Sequence, residues 1–374
     1  MLDKDVTRLS EPYPPATPLD GPPLLRLADP LGLDLKKSAQ LGDEIFGDLD
    51  VTTYGIGWWK TYSDLNSQTR ILLSDYLLTC ARAIPDNLVE ARIELLELDH
   101  AVEDFRNWMN RGVDGHNRST VEPPISPYEE LSNRRARTHL AGTLRAWGSA
   151  LDCVAGCIIG VTGIPADLVK ADMRTAQESL RKYSPGNQLL EQLQTSLAKA
   201  ETDAGPTGWR DWLLGMRNTV VHRGRRTVTW SGNLGAKEVL DFALRLPIAP
   251  DRTEVDAIIL SGGVIAATFE APAAEMLNEL SKTVGTYVNE ACGLLRDLWS
   301  TRRADPGLLS QSPNQWKQPK GLITMPSFRG FPRLTPQASL VTSYGASPEE
   351  DRRMRAAALG IDGNDIKPNP RIWS

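Results

Sequence analysis

The chain has 374 residues, 41% of them hydrophobic and 24% charged, and a net charge of −5. This composition is typical of a globular protein that buries a sizeable core without covalent cross-links, either as one large domain with appendages or as two ordinary domains. The negative charge argues against general adsorption to nucleic acid or to an acidic membrane, so any such contact must be local.

The composition of the first residues and the cysteine usage predict a cytoplasmic protein. The chain starts with mixed charge and no apolar run, so we expect neither a secretory signal nor a transit peptide. The most membrane-like run, 146–165, is rich in Gly and Ala and contains Asp152, which favours a buried helix and no membrane contact. The four cysteines form no CxxC pair and are too scattered for a disulfide framework: Cys80, Cys153, Cys157 and Cys292.

The first part of the chain is predicted to be an extended arm followed by helices. Residues 1–50 hold prolines that restrict the backbone and disfavour a helix: Pro12, Pro14, Pro15, Pro18, Pro22, Pro23 and Pro30. Apolar residues then recur at helical spacing, and Pro85 predicts the end of one helix before a second that runs to Gly112. After a loop to about Tyr128, a long stretch from Pro127 to about Val161 is expected to be the central helix.

The second part combines helices with a β-rich insert. A helical segment over about 165–200 is broken at 184–186, and a short helix begins near Trp209 and ends at Gly224. Short β-rich runs separated by Gly or Pro follow, which predicts two hairpins or a small sheet. A last amphipathic helix covers about 272–300.

These patterns predict a mainly α-helical bundle with a small antiparallel β insert and Pro-rich N- and C-terminal extensions. We divide the chain into a Pro-rich arm over 1–50, a helical domain over 51–300 with its β insert at about 226–270, and a Pro/Ser/Gly-rich tail over 301–374.

The segment 217–222 concentrates the residues best suited to chemistry. His222 can exchange a proton near neutral pH, Arg217 carries a permanent charge in a fork that fits phosphate oxygens, and Asn218 can orient either. Together they suit phosphodiester cleavage without a metal. The alternative is a surface helix end, where cations meet the negative end of the helix dipole and no catalysis is needed.

The spacing of this motif bears on assembly. On an ideal α-helix Arg217 and His222 are rotated by roughly 140° and separated by about 7.5 Å along the axis, so one helix does not aim both at one atom. Two copies that meet across a two-fold axis could bring an arginine and a histidine from different subunits together. The spacing therefore favours a composite site between subunits, and we expect a homodimer or a higher homo-oligomer.

The order Arg-Asn-x-x-x-His near a helix end, inside a helical bundle, resembles the active motif of the HEPN (higher eukaryotes and prokaryotes nucleotide-binding) superfamily. The resemblance implies an HEPN-like fold and a metal-independent endoribonuclease that acts as a dimer, typically a toxin or an antiviral defence effector. Arg217, Asn218 and His222 would be the catalytic residues. Members without the motif are often non-catalytic binding modules, which is the rival hypothesis for this chain.

Four further arginines are candidates for RNA backbone contacts: Arg210, Arg223, Arg225 and Arg226. The alternative for the run 223–226 is a solvated helix end that enters a strand. A second basic patch, 134–137, is expected to be a solvated face. A protein partner or antitoxin could bind the tail over 301–374.

A stripe of small residues with an aspartate runs along the central helix. Gly148, Asp152, Gly156 and Gly160 are four residues apart and predict close packing with a neighbouring backbone. If Asp152 is buried it needs a donor, and Arg217, His222, another arginine or a backbone group are the candidates.

The sequence favours neither a metal nor a cofactor. Cys153 and Cys157 share one helix face, where core packing is the better interpretation. The remaining histidines have no partners at the spacing of a metal site: His100, His116 and His139. The turn at 362–365 lacks the ligand spacing of a calcium loop.

Overall fold

The computed structural model describes residues 31–48, 67–111, 127–166, 171–222, 229–234, 239–248 and 268–304. Within these ranges the chain forms seven α-helices, one π-helical turn and one pair of strands. The helices are α1 (Lys36–Asp48), α2 (Ser67–Arg111), α3 (Pro127–Thr162), α4 (Met173–Tyr183), α5 (Gln188–Ala204), α6 (Trp209–Arg217) and α7 (Ala273–Ala304). The prediction of a mainly helical bundle with a small antiparallel insert is confirmed.

The two longest helices, α2 and α3, form an antiparallel hairpin. Residue numbers fall along α2 as they rise along α3 in the ion pairs that join the two helices. These pairs are Asp104 with Arg135, Glu94 with His139, and Glu90 with Arg145. Small residues let the two helices approach closely, which maximises the dispersion contacts of the core between them.

Helix α3 is the central helix of the bundle. The stretch Glu130–Thr162 is long and apolar enough to cross a membrane by length and composition, and 72% of its apolar window is buried inside the protein. It packs against α2, α4, α6 and α7. Among the described residues it is the one helix of this kind, and its burial agrees with the prediction of a core helix.

The C-terminal end of α3 is capped by α7. Gly163, at φ 67°, donates its N–H to the Ile159 carbonyl and ends the helix in the left-handed conformation. Arg302 donates from Nη1 to the carbonyls of Gly160 and Val161 at 3.2 and 2.6 Å. Burial lowers the pKa of Arg302 to about 9, so these carbonyls receive a charged donor in a desolvated position.

Helix α1 lies within the segment predicted to be an extended arm, and that part of the prediction is wrong. The last proline before it is Pro30, so the backbone from residue 31 onward is free to form a helix. The apolar face of α1 is buried in the core, and Trp299 of α7 donates to Asp48 at its end at 2.6 Å. Residues 1–30 lie outside the described part of the chain.

Helix α2 continues through Pro85, so the predicted break at that residue is also wrong. A proline inside a helix removes one backbone hydrogen bond, here the one to Ala81. Ala81 and Ile84 are fully buried, and Asn87 donates from Nδ2 to the Ala83 carbonyl at 2.7 Å in the same turn. Tertiary packing therefore holds the helix together across the proline.

The break predicted at 184–186 is confirmed, because α4 and α5 are separate helices with their own caps. Asp172 accepts from the Thr175 N–H at 2.6 Å at the start of α4, and Asn187 accepts from the Leu190 N–H at 3.2 Å at the start of α5. The two helices pack against α3 and α7 respectively.

The β insert contains strands β1 (Thr229–Leu234) and β2 (Val239–Arg245), paired antiparallel with an irregularity near Ser231. Trp230 of β1 packs on Phe105 of α2, with ring centroids 4.7 Å apart, and donates to Asn133 of α3 at 3.1 Å. The hairpin thus lies on one end of the α2–α3 pair. Most of the residues predicted to form a second hairpin, 249–267, lie outside the described ranges, as does the tail over 305–374.

Candidate functional site

The motif lies where α6 gives way to a π-helical turn. Helix α6 starts after Gly208, at φ 85°, and buries Trp209, Leu213 and Met216 against the core. Residues Asn218–His222 then form a π-helical turn instead of a further α-helical turn. The predicted short helix is confirmed in place, but its geometry at the motif differs from the ideal α-helix that we assumed.

The π-helical turn changes the relation between Arg217 and His222. A π-helix has backbone hydrogen bonds between residues five apart, which is the separation of these two residues, and it has more residues per turn than an α-helix. Residues five apart therefore face more nearly the same way than the roughly 140° expected for an α-helix. The ideal α-helical geometry assumed for the motif therefore does not hold for residues 218–222, and the direction of the His222 side chain lies outside the described part of the chain.

Arg217 reaches across α3 to Asp152. Its Nη1 lies 2.7 Å from Asp152 Oδ2, and only 19% of the arginine side chain remains exposed. Gly148, one turn before Asp152, makes room for the guanidinium, because a Cβ at this position would overlap Arg217 Cδ. The small-residue stripe of α3 therefore receives an arginine side chain, and Arg217 is confirmed among the predicted donors to Asp152.

The pair of Arg217 and Asp152 is incompletely satisfied. Arg217 Nε and Asp152 Oδ1 are buried and have no hydrogen-bond partner within the part of the chain that the structure describes. A single hydrogen bond thus joins two groups that could form a bidentate pair. Arg217 is oriented by Asp152 without having all its donors used.

Two aspartates set the electrostatics around Arg217. Burial raises the pKa of Asp152, Arg217 offsets part of that rise, and the nearby charge of Asp172 adds to it. Burial would also raise the pKa of Asp172, but the Thr175 N–H and hydroxyl, with smaller contributions from Arg174 and Arg217, lower it overall. Asp172 was not identified from the sequence, since nothing in its helix-capping position links it to a residue 45 positions later.

The structure describes the side chain of Asn218 but only the backbone of His222. Asn218 is exposed, and its N–H donates to both the Leu214 and Gly215 carbonyls at the transition from α6 to the π-helical turn. The backbone of His222 ends that turn, whereas its side chain lies outside the described part of the chain. Arg223, Arg225 and Arg226 lie outside the described residues entirely.

Arg210, a predicted RNA contact, lies in an internal polar network. Its Nη1 donates to Glu201 of α5 at 2.7 Å and its Nη2 donates to Gln177 of α4 at 3.0 Å. Only 12% of its side chain is exposed. Arg210 therefore holds three helices together in the folded protein.

The remaining charged candidates lie on the α2–α3 hairpin. Arg134 pairs with Glu130 and Arg135 with Asp104, all exposed, as expected for a solvated face. His139, which the sequence left without a role, pairs with Glu94 at 2.8 Å. Gly142 accommodates the Glu94 carboxylate, because a Cβ there would overlap it. This pair is half-buried and belongs to helix packing.

A cavity formed by described residues lies away from the motif. It has a volume of about 310 Å³ and is lined by residues 32–34, by Leu88 of α2 and by the α7 face around Asn289. It includes no residue of α6 or of the π-helical turn. We therefore base the candidate site on the Arg217 cluster rather than on the cavity.

Within the described ranges, no group of three or more His, Cys, Asp or Glu side chains could hold a metal ion. A scan of protein-family models, a search of curated proteins and a search of solved structures each found no match to this chain. The resemblance to HEPN proteins therefore rests on the six-residue motif and its helical context.

Proposed function

We propose that this protein is a metal-independent endoribonuclease of the HEPN type. The observation that carries the proposal is the π-helical turn that follows Arg217 and ends at His222, since it joins an arginine held by Asp152 to a histidine within one turn. π-Helical turns often occur at functional sites, because they are costly to form and are retained where they position particular side chains.

In this mechanism the ribose 2′-hydroxyl attacks the adjacent phosphate. His222 takes the hydroxyl proton, and the phosphorus–oxygen bond to the 5′ leaving group breaks to give a 2′,3′-cyclic phosphate. Arg217 stabilises the negative charge that builds up on the phosphorane oxygens. Asn218, which is exposed beside Arg217, positions His222 or a phosphate oxygen.

The contact with Asp152 orients the Arg217 side chain before substrate binds. A free arginine side chain would lose rotamer entropy on binding phosphate. The ion pair with Asp152 and the close contact at Gly148 already restrict the conformation of Arg217, so less entropy is lost on binding. Arg217 Nε has no hydrogen-bond partner among the described residues, so the guanidinium keeps an unused donor.

The test is cleavage of RNA by purified full-length protein in the presence of EDTA. We expect His222→Ala to lower the cleavage rate by about 10²- to 10⁴-fold, the range for loss of a general acid or base. The matched control is His100→Ala, which removes an exposed imidazole from α2 and should leave the rate unchanged. Equal rates for wild type and His222→Ala would refute the proposal.

We further propose that the active form is a homodimer, and a mixing experiment tells whether each site is composite. Inactive Arg217→Ala and His222→Ala proteins are unfolded together and refolded as a mixture. If each site takes its arginine and histidine from different subunits, about a quarter of the wild-type rate returns, since half the dimers are mixed and each has one intact site. If both residues come from one subunit, as the π-helical turn also permits, no rate returns.

A second candidate function is a non-catalytic binding or assembly module. The observation that favours it is the ion pair of Arg217 with Asp152, which ties α6 to the central helix and accounts for the arginine without any substrate. On this hypothesis Arg217→Ala destabilises the fold, and no RNA cleavage is detected in any variant.

The biological role that we propose follows from the ribonuclease. Such an enzyme acts as a toxin or antiviral defence effector in the cytoplasm, and the tail over 301–374 would bind a protein partner such as an antitoxin. Expression of the wild-type chain in a bacterial host should then arrest growth, and His222→Ala should abolish the arrest.

A further inference from the structure

A cavity with fixed walls is formed by the chain that leads into α1, by α2 and by α7. Arg92 of α2 donates from Nε to the Leu31 carbonyl at 3.2 Å. Asn289 of α7 donates from Nδ2 to the Asp34 carbonyl at 2.8 Å. Gly32 lies between these two anchors at φ 66°, a left-handed conformation that glycine adopts without strain. This part of the chain is therefore held at both ends, and the cavity is formed before any ligand binds.

The lining combines exposed and buried residues, so the cavity is open to solvent on one side. Lys282 and Glu290 of α7 keep 72% and 53% of their side chains exposed. Leu88 of α2 and Asn289 of α7 are buried, with 3% and 7% of their surface exposed. The volume of about 310 Å³ is at the lower end of the range for ligand pockets, about 300–1,000 Å³. A small molecule thus has both a route from solvent and enough room.

Gly285 of α7 leaves part of the cavity wall open. It lies in the middle of a long helix, where glycine is less favourable than alanine. At the helical glycines Gly142, Gly148 and Gly160, a neighbouring side chain occupies the position where a Cβ would lie. At Gly285 no described residue lies within 4 Å of that position. Its missing side chain therefore makes room in the cavity and not for another helix.

The charged groups of the lining leave one negative charge uncompensated. Glu290 pairs with Lys37 at 2.5 Å. Lys282 pairs with Glu279 at 2.6 Å, so both of these lining charges are neutralised within the protein. The Asp34 carboxylate caps the start of α1 and makes no ion pair within the described ranges. A cation in the cavity would compensate this charge, whereas an anion would be repelled by it.

The polar lining also supplies acceptors for a ligand that donates hydrogen bonds. Asn289 Oδ1 is buried without a hydrogen-bond partner among the described residues. The Ser281 and Thr286 hydroxyls belong to the same lining, and a hydroxyl accepts as well as donates. Leu33 and Leu88 add apolar surface. An ammonium group on a short aliphatic chain has the charge, the donors and the apolar body that match this lining.

We propose that this cavity binds a small organic cation, an amine whose ammonium group lies beside Asp34 and whose aliphatic chain lies along Leu33 and Leu88. A metal ion is a poorer match, because the described side chains provide no group of three or more His, Cys, Asp or Glu ligands. The cavity includes no residue of α6 or of the π-helical turn, so this proposal stands apart from the ribonuclease.

The experiment titrates the full-length protein with n-butylamine and follows binding by ligand-observed NMR. The neutral probe n-butanol and the anionic probe butyrate have aliphatic chains of similar length. We expect n-butylamine to bind about threefold to tenfold more tightly than n-butanol, the range for one charged contact at a partly exposed position. Butyrate should bind more weakly than either. No binding of n-butylamine, or equal binding of the amine and the alcohol, would overturn the proposal.

Asp34→Asn tests the charge while keeping the shape of the side chain. Asparagine also caps helix starts, so the hydrogen bond to the Lys36 N–H can persist. We expect the affinity for n-butylamine to fall by about threefold to tenfold. The matched control is Asp43→Asn, which removes the same charge from an exposed position of α1 outside the lining and should leave the affinity unchanged. Equal affinities of wild type and Asp34→Asn would contradict the proposal.

Gly285→Leu tests the location by filling the open part of the wall, and we expect binding of n-butylamine to be lost. The matched control is Gly47→Leu in α1, where a Cβ likewise meets no described residue within 4 Å and which lies outside the lining. Unmodified wild type provides a measurement that does not depend on how the variants fold. There, n-butylamine should shift the NMR signal of the Asn289 side-chain amide, and shifts confined to other regions would refute the assignment.

Discussion

Two arginines of α6, Arg210 and Arg217, lie seven residues apart and so almost on the same helix face, yet the structure uses them differently. Arg210 donates to both Glu201 and Gln177 and is nearly buried. Arg217 has one hydrogen bond, to Asp152, and its buried Nε has no acceptor among the described residues. Arg210, near the start of α6, thus has acceptors on two neighbouring helices, whereas Arg217, at the end of α6, keeps a donor without an acceptor among the described residues.

The two arginines therefore have different expected roles. Buried donors without partners are costly, and proteins retain them where a ligand or a mechanism uses them. Arg210 connects α4, α5 and α6, and its loss should appear mainly in stability. Arg217 is oriented but incompletely bonded, and its loss should appear mainly in activity. Four predictions test this comparison.

Arg217→Ala should lower RNA cleavage by about 10²- to 10³-fold, the cost of removing one donor from a developing oxyanion. Single-turnover rates with EDTA present measure this effect. The circular dichroism spectrum should stay helical, because only one hydrogen bond to Asp152 is lost. Unfolded protein instead of an inactive folded one would favour the structural interpretation of this arginine.

Arg210→Ala should lower the free energy of unfolding by about 2 kcal/mol, since Glu201 and Gln177 both lose their partner in a mostly buried position. Urea unfolding measures the change. The folded fraction should cleave RNA at the wild-type rate. A selective loss of RNA binding with unchanged stability would restore Arg210 to the RNA contacts predicted from the sequence.

Gly148→Ala should displace Arg217, because the new Cβ would overlap the arginine Cδ. We expect cleavage to fall by about tenfold, since small misplacements of a catalytic group have large kinetic effects. The matched control is Gly285→Ala in α7, where a Cβ meets no atom within 4 Å. The control should leave cleavage unchanged and raise the free energy of unfolding by about 0.5–1 kcal/mol through helix propensity. Similar activities for the two variants would dissociate Gly148 from Arg217.

Asp152 should give the smallest effect, visible as a pH dependence of stability. The pKa of Asp152 is raised in the folded protein, so the folded state binds the carboxyl proton more tightly than the unfolded state does. Relative to Asp152→Asn, wild type should be most stable below the ordinary pKa of 3.8 and lose this advantage as the pH rises through the raised pKa.

Urea titrations of both proteins across this pH range measure the difference in unfolding free energy. Burial also raises the pKa of Asp86 and Asp99, so the comparison with Asp152→Asn is needed to isolate one residue. A difference that grows with pH would mean that Arg217 outweighs burial at Asp152.

Much of the fold could be predicted because it follows from local patterns. The limits of the central helix, the break before α5 and the presence of a β pair come from apolar periodicity, capping residues and turn formers. The errors occurred where tertiary packing outweighed a local rule. Helix α2 continues through Pro85 because its neighbours are buried, and α1 forms in the part of the arm that follows the last proline.

The candidate site could be predicted only as a set of residue types. The order of the residues predicts that Arg217, Asn218 and His222 lie together at a helix end, and that Asp152 of the central helix needs a donor if it is buried. The packing of the helices shows that this donor is Arg217 and that Gly148 makes room for it, and the backbone shows that residues 218–222 are π-helical. These features depend on the packing of α6 against α3, a long-range contact whose energy no local pattern specifies.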